Sequence, residues 1–148
     1  MKILVCVYGS EQSKKALEEA TVIAEGCKAS EVALIHVYEP KLDIFYSYEG
    51  ITQEQIELFQ EMKENQKKEI EKILLEALTL LEEKNLKGRT ILKEGHPSHI
   101  IVEVAREEGF DMIVLGSRGL GGLKKLFLGS VSNAVLQEAH NCSVLIVK

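Results

Sequence analysis

The chain has 148 residues, 45% of them hydrophobic and 28% charged, and a formal net charge of −5. That is the length of one ordinary domain with enough chain to bury a core, so it needs neither disulfides nor metal to fold and is too apolar for a disordered segment. The acidic balance disfavours nonspecific binding to DNA or anionic membranes, and 5% aromatics with no Trp leave little for base stacking.

Residues 2–7 (KILVCV) form a short apolar run ending before Gly9, the signature of a strand buried on both faces. Ser10 then stands as N-cap of a helix whose face carries Ala16, Leu17, Ala20, Ile23 and Ala24 and which fades near Gly26. A second strand spans 31–38 (EVALIHVY) and stops before Pro40, which lacks a ladder donor. Residues 39–52 read as a loop with Phe45, Tyr46 and Tyr48. A long helical period over 53–85 carries an apolar stripe of Ile56, Phe59, Met62, Ile70, Ile73, Leu74, Ala77, Leu78 and Leu81.

Residues 89–94 give a weaker third strand, followed by the turn Gly95-His96-Pro97 and a helix from about Ser98 to Arg106. Gly109 is placed to cap that helix. Residues 111–115 (DMIVL) are the fourth strand. A glycine-rich loop follows, then a helix of about a dozen residues from Ser130, near the average helix length, and a last strand at 143–147. Strand and helix alternate throughout, and the strands are continuous apolar runs. The expected fold is therefore α/β: a doubly wound, five-stranded parallel sheet with helices on both faces, in one domain over 1–148.

No apolar run reaches the ~18 residues of a membrane span. The N-terminal MKILVCVYGS is too short and lacks a small-residue cleavage site for a signal peptide. A cytoplasmic protein with no membrane or nucleic-acid partner is expected. Cys6, Cys27 and Cys142 form no CxxC pair and read as reduced, mostly buried thiols.

In an open parallel sheet, ligands bind beyond the carboxyl ends of the strands where the winding reverses. The first strand ends there in Val7-Tyr8-Gly9-Ser10, and the fourth in Gly116-Ser117-Arg118-Gly119. Nine residues after Gly119 come Gly129 and Ser130, at the start of a helix. Glycines at 116 and 119 allow positive φ and close approach to backbone N–H groups. The helix start offers free N–H groups and a positive dipole end, which suit a phosphate. Arg118, Lys124 and Lys125 add positive charge. There is no GxxxxGK[ST], and no GxGxxG follows the first strand.

These segments carry a resemblance over essentially the whole chain. ILVCVYGSEQSKKAL, ALIHV, EGHPSHII and VLGSRGLGGLKKLFLGSVSNAVLQEAHNCSVLIVK resemble the universal stress protein A family. Its ATP-binding branch carries Gly-x2-Gly-x9-Gly-(Ser/Thr), which Gly116, Gly119, Gly129 and Ser130 match without a gap. The resemblance implies strand order 3-2-1-4-5 and a Rossmann-like sheet. It implies a regulatory protein that binds ATP, with Mg²⁺ on the phosphates. Gly116, Ser117, Arg118 and Gly119 would wrap ribose and phosphates. Gly129, Ser130, Val131 and Ser132 would hold phosphates at the helix start. Val37 would touch adenine, with Val7 and Tyr8 contributing from the first strand. It also implies a homodimer through strand 143–147, a hydrophobic edge that otherwise invites aggregation. One departure stands out: ATP-binding members usually carry Asp where this chain has Tyr8. A phenol there either contacts the nucleotide or fills the pocket, and the second case is a nucleotide-free dimeric interaction protein.

Other candidates point elsewhere. His96 and His99 share a helix face without a third ligand nearby, and His36 reads as a satisfied core histidine. His140 and Cys142 do not suggest a nucleophile–base pair. Ser10, Ser117 and Ser130 lack a visible base, so no enzymatic constellation is expected beyond, at most, slow ATP hydrolysis.

Overall fold

The computed structural model describes residues 1–39, 50–117 and 128–148. Nine elements follow in order: β1 (Lys2–Cys6), α1 (Glu11–Gly26), β2 (Glu31–Tyr38), α2 (Gln53–Glu83), β3 (Gly88–Glu94), α3 (Pro97–Glu107), β4 (Met112–Gly116), α4 (Ser130–Glu138) and β5 (Ser143–Val147). The strands form one sheet in the order β3-β2-β1-β4-β5, every pairing parallel. The expected doubly wound order is therefore observed.

Alternation along each strand sorts the core into two layers. Ile3, Val5, Val32, Leu34 and Val114 face α1 and α2, packing on Ala16, Leu17, Ala20, Leu74 and Leu81. Leu4, Cys6, Ala33, Ile35, Ile113 and Leu115 face α3 and α4, packing on Ile101, Val104, Ala105 and Val135. Both faces of the central strands are thus dry, which is why they lack polar alternation.

Local chemistry sets the helix ends. Ser10 caps α1 by accepting from Ser13 N at 3.1 Å, and Thr52 caps α2 in a reciprocal box with Gln55. Gly109 (φ +67) follows α3 as expected, with Phe110 N donating back to Ala105 O. After α1 and α2 the left-handed residue is Lys28 or Asn85 instead.

Three expectations need correction. The apolar stripe of α2 is buried only from Ile70 onward; Ile56 and Met62 are exposed and belong to neither core layer. α4 has nine residues, ending at Glu138. Of the cysteines, Cys6 alone is fully buried; Cys27 is exposed and Cys142 half-buried.

Candidate functional site

The winding reverses between β1 and β4, the two neighbours in the middle of the sheet. Their carboxyl ends are locked to the start of α1. Tyr8 N donates to Ser13 Oγ at 2.8 Å, and Ser13 Oγ donates to Cys6 O at 3.4 Å. Ser13 thus ties the end of β1 to the first turn of α1. Gly9 makes the intervening turn with φ +74, a conformation that favours glycine.

Gly116 closes β4 against that same turn. A Cβ there would lie 2.8–2.9 Å from the backbone carbon, carbonyl oxygen and Cβ of Gln12. Its φ is not positive, so the expectation of a left-handed turn at Gly116 is corrected: glycine is needed because α1 presses on the strand. Its carbonyl accepts from Ser132 Oγ at 2.8 Å, which pins the first turn of α4 to β4.

Ser117 fixes the next step. Its N–H donates to Val147 O at 2.6 Å, and its carbonyl accepts from Gly129 N at 2.8 Å. Residues 117 and 129 are therefore joined by a backbone hydrogen bond. Arg118 and Gly119, with Lys124 and Lys125, lie outside the described residues. Gly129 is the N-cap of α4, in extended conformation and with no side chain to cap the helix; Ser130, Val131 and Ser132 form its first turn. An uncapped start leaves backbone N–H groups directed outward at the positive end of the helix dipole.

On the other side of β1, the Tyr8 ring packs on His36 with centroids 4.7 Å apart and a 51° tilt. Val7 and Val37 are buried in opposite core layers at the same edge. Burial pushes the Tyr8 phenol well above its ordinary range, the Cys6 thiol adds to this, and the Val37 backbone draws it back. Burial likewise pushes Cys6 up to about 12. It holds His36 below the ordinary imidazole value, against the pull of the Val7 backbone. Phenol, thiol and imidazole are all uncharged at neutral pH. His36 is a core histidine, but not a satisfied one: its Nδ1 has no hydrogen-bond partner.

Among the described residues no three His, Cys, Asp or Glu side chains gather as a metal site. His96 Nδ1 lies 3.2 Å from Ser98 Oγ within its own turn. No helix among the described residues is long and apolar enough to cross a membrane.

The sheet order and the winding reversal define a doubly wound α/β protein, with the uncapped start of α4 beside the carboxyl ends of β1 and β4. The chain belongs to the universal stress protein family, whose model matches residues 1–148. It is 40% identical over 147 residues to the universal stress protein YxiE of Bacillus subtilis, covering 99% of this chain and 98% of that one. The solved structure of MJ0577 from Methanocaldococcus jannaschii superposes with a TM-score of 0.82 at 32% identity, covering 99% and 94% of the two chains. A universal stress protein from Archaeoglobus fulgidus, solved in complex with dAMP, shares the fold at a TM-score of 0.68 and 23% identity, covering 100% and 98%.

Proposed function

We propose that this chain is a regulatory protein that binds an adenine nucleotide, ATP in particular, across the carboxyl edge of β1 and β4. The observation that carries this reading is the start of α4. It is capped by Gly129 with no side chain and held to β4 through Ser132 and Gly116. Such a terminus takes a phosphate by backbone N–H groups and dipole. The Gly116, Gly119, Gly129, Ser130 spacing supports a ligand there, as does the dAMP carried by a protein of the same fold. Gly116, Ser117, Arg118 and Gly119 then line the ribose and first phosphates. Ser130, Val131 and Ser132 hold the phosphate tail, and Val7, Tyr8 and Val37 flank the base.

Among the described residues no three His, Cys, Asp or Glu side chains gather to hold a metal, and Mg²⁺ commonly takes most of its ligands from water and phosphate oxygens. A magnesium ion accompanying ATP is carried by the phosphates themselves. The role is binding rather than catalysis. Ser10 Oγ is engaged with Ser13 N and Ser132 Oγ with Gly116 O, and neither is paired with a base.

The test is calorimetric titration of nucleotide-stripped protein with ATP and Mg²⁺, beside Gly119→Val. Saturable binding by the native chain and its loss in the variant are expected. Equal affinity in the two sinks this site. A second reading has one observation in its favour: the Tyr8 ring is already packed on His36. If Tyr8 fills the pocket, the native chain gives no heat with any nucleotide and acts as a dimeric interaction protein.

A further inference from the structure

The core layer on the α1 side takes up α2 only from Ile70 onward, yet the apolar pattern of the helix begins well before that. Ile56 has the angular position that buried Leu74 has about five turns further on, and it is 40% exposed. Leu58 and Met62, one turn apart, widen the apolar face to one side and are 51% and 46% exposed. A single exposed leucine is ordinary, but three large apolar side chains within two turns make a patch.

One border of that patch is acidic. Residues 51–62 contain Glu54, Glu57 and Glu61 and neither lysine nor arginine. Glu54 lies four residues before Leu58 and Glu61 three after it, so both flank it on the helix surface; Glu57 is one turn from Glu61. All three are exposed and none is in an ion pair; Glu57 only accepts a hydrogen bond from Gln53 at 3.1 Å. The helix is fixed at both ends of this stretch. Thr52 and Gln55 cap it, and Lys63 reaches Glu94 at the end of β3 at 2.8 Å, where the Tyr38 hydroxyl donates to the same carboxylate at 3.3 Å. The apolar and acidic sides are thus presented on a formed helix.

Three unpaired carboxylates beside an apolar stripe discriminate among occupants. A second copy of the same helix would set glutamate against glutamate, and nucleic acid or an anionic membrane meets the same repulsion. Helices that lie on membranes carry lysine and arginine on the polar face, which these turns lack. A protein segment of opposite charge gains twice, by covering Leu58 and Met62 and by bringing cations to the glutamates. We infer that the first turns of α2 are a docking surface for a basic amphipathic protein segment, which sets apolar side chains on Leu58 and Met62 and lysines or arginines along Glu54, Glu57 and Glu61. This is independent of the nucleotide reading above.

The probe is a labelled helical peptide of leucine and lysine at amphipathic spacing, titrated into the full chain and read by fluorescence anisotropy. Its counterpart with glutamate for lysine runs beside it. Three variants are compared: Glu54→Gln with Glu57→Gln and Glu61→Gln; Leu58→Gln with Met62→Gln; and, as a control of equal charge change on α1, Glu18→Gln with Glu19→Gln and Glu25→Gln. Circular dichroism checks that each keeps the native helix content. The native chain is expected to bind the lysine peptide saturably, more weakly as salt rises, and not the glutamate peptide. The two α2 variants are each expected to lose about tenfold or more in affinity, as for three exposed charge pairs or two apolar anchors, and the α1 control to bind as the native chain does. Absent binding by the native chain, equal losses on α1 and α2, or unchanged affinity in both α2 variants overturns the inference. So does a halved sedimentation mass in Leu58→Gln with Met62→Gln, which gives the face to a second copy, or native binding to phosphatidylcholine vesicles that this variant loses, which gives it to a membrane.

Discussion

Gly116 shows how a single residue serves packing at the position where a motif suggests ligand contact. Its missing side chain leaves room for the backbone of Gln12 at the first turn of α1. Gly116→Ala places a methyl 2.8–2.9 Å from backbone atoms that have no flexible way to retreat. The expected cost is about 1–3 kcal/mol, the range for overpacked interiors, read as a lower midpoint in urea. An unchanged midpoint would show that α1 shifts freely. The spacing of Gly116, Gly119, Gly129 and Ser130 was legible in the sequence, because it matches the motif of the family that the chain resembles. The reason for Gly116 was not, because it lies in a contact with Gln12 more than a hundred positions away. His36 was legible as buried, since it sits in an apolar strand. That its Nδ1 lacks a partner depends on Tyr8 and the end of β1, which no local pattern reveals.

At the level of elements, the two edges of the sheet have opposite characters. The amino edge is clamped by charge. Arg89 at the start of β3 pairs with Glu31 at the start of β2 and with Glu108 after α3. Lys2 of β1 reaches Glu31 at 3.3 Å and the Glu108 carbonyl at 2.6 Å, and its Nζ lies 4.8 Å from the Phe110 ring centre. The Arg89 guanidinium, and to a lesser degree the Lys2 ammonium, holds the Glu31 carboxyl below its ordinary value. A carboxylate lowered on folding adds stability above its unfolded value and loses it as pH falls through the folded value. Melting temperature should therefore fall on acidification below the ordinary glutamate range. Arg89→Ala should flatten part of that slope, by at most about 1 kcal/mol for so exposed a pair. Parallel slopes in thermal melts would remove Arg89 from the account. None of this clamp was legible in sequence, because Lys2, Glu31, Arg89 and Glu108 meet only once the strands are ordered. The strands themselves were legible to within a residue or two, since continuous apolar runs have few other uses. The exposed first half of α2 was misread because helical periodicity reports a face and not what covers it.

For the molecule as a whole, β5 is the edge strand beyond β4, its residues Val144 to Val147 partly exposed, and α4 beside it leaves Leu136 47% exposed. An apolar edge of this kind is a hazard unless it is paired. We propose that two copies pair through residues 143–147 about a two-fold axis, the commonest symmetry of soluble assemblies. Sedimentation equilibrium should then give twice the 16.5 kDa chain mass at micromolar concentration. A single-chain mass throughout the range excludes this interface.

The hydrogen bond from Gly129 N to Ser117 O acts as a buckle between β4 and α4. Whatever chain runs between the two sides of that buckle, the sheet and the helix meet at the same place. Closure entropy grows only slowly with length, by about 0.6 kcal/mol for a doubling. The segment from 118 to 128 can therefore change in length and charge over evolutionary time with small effect on folding. Such changes would alter what the edge binds while the frame that presents it stays the same.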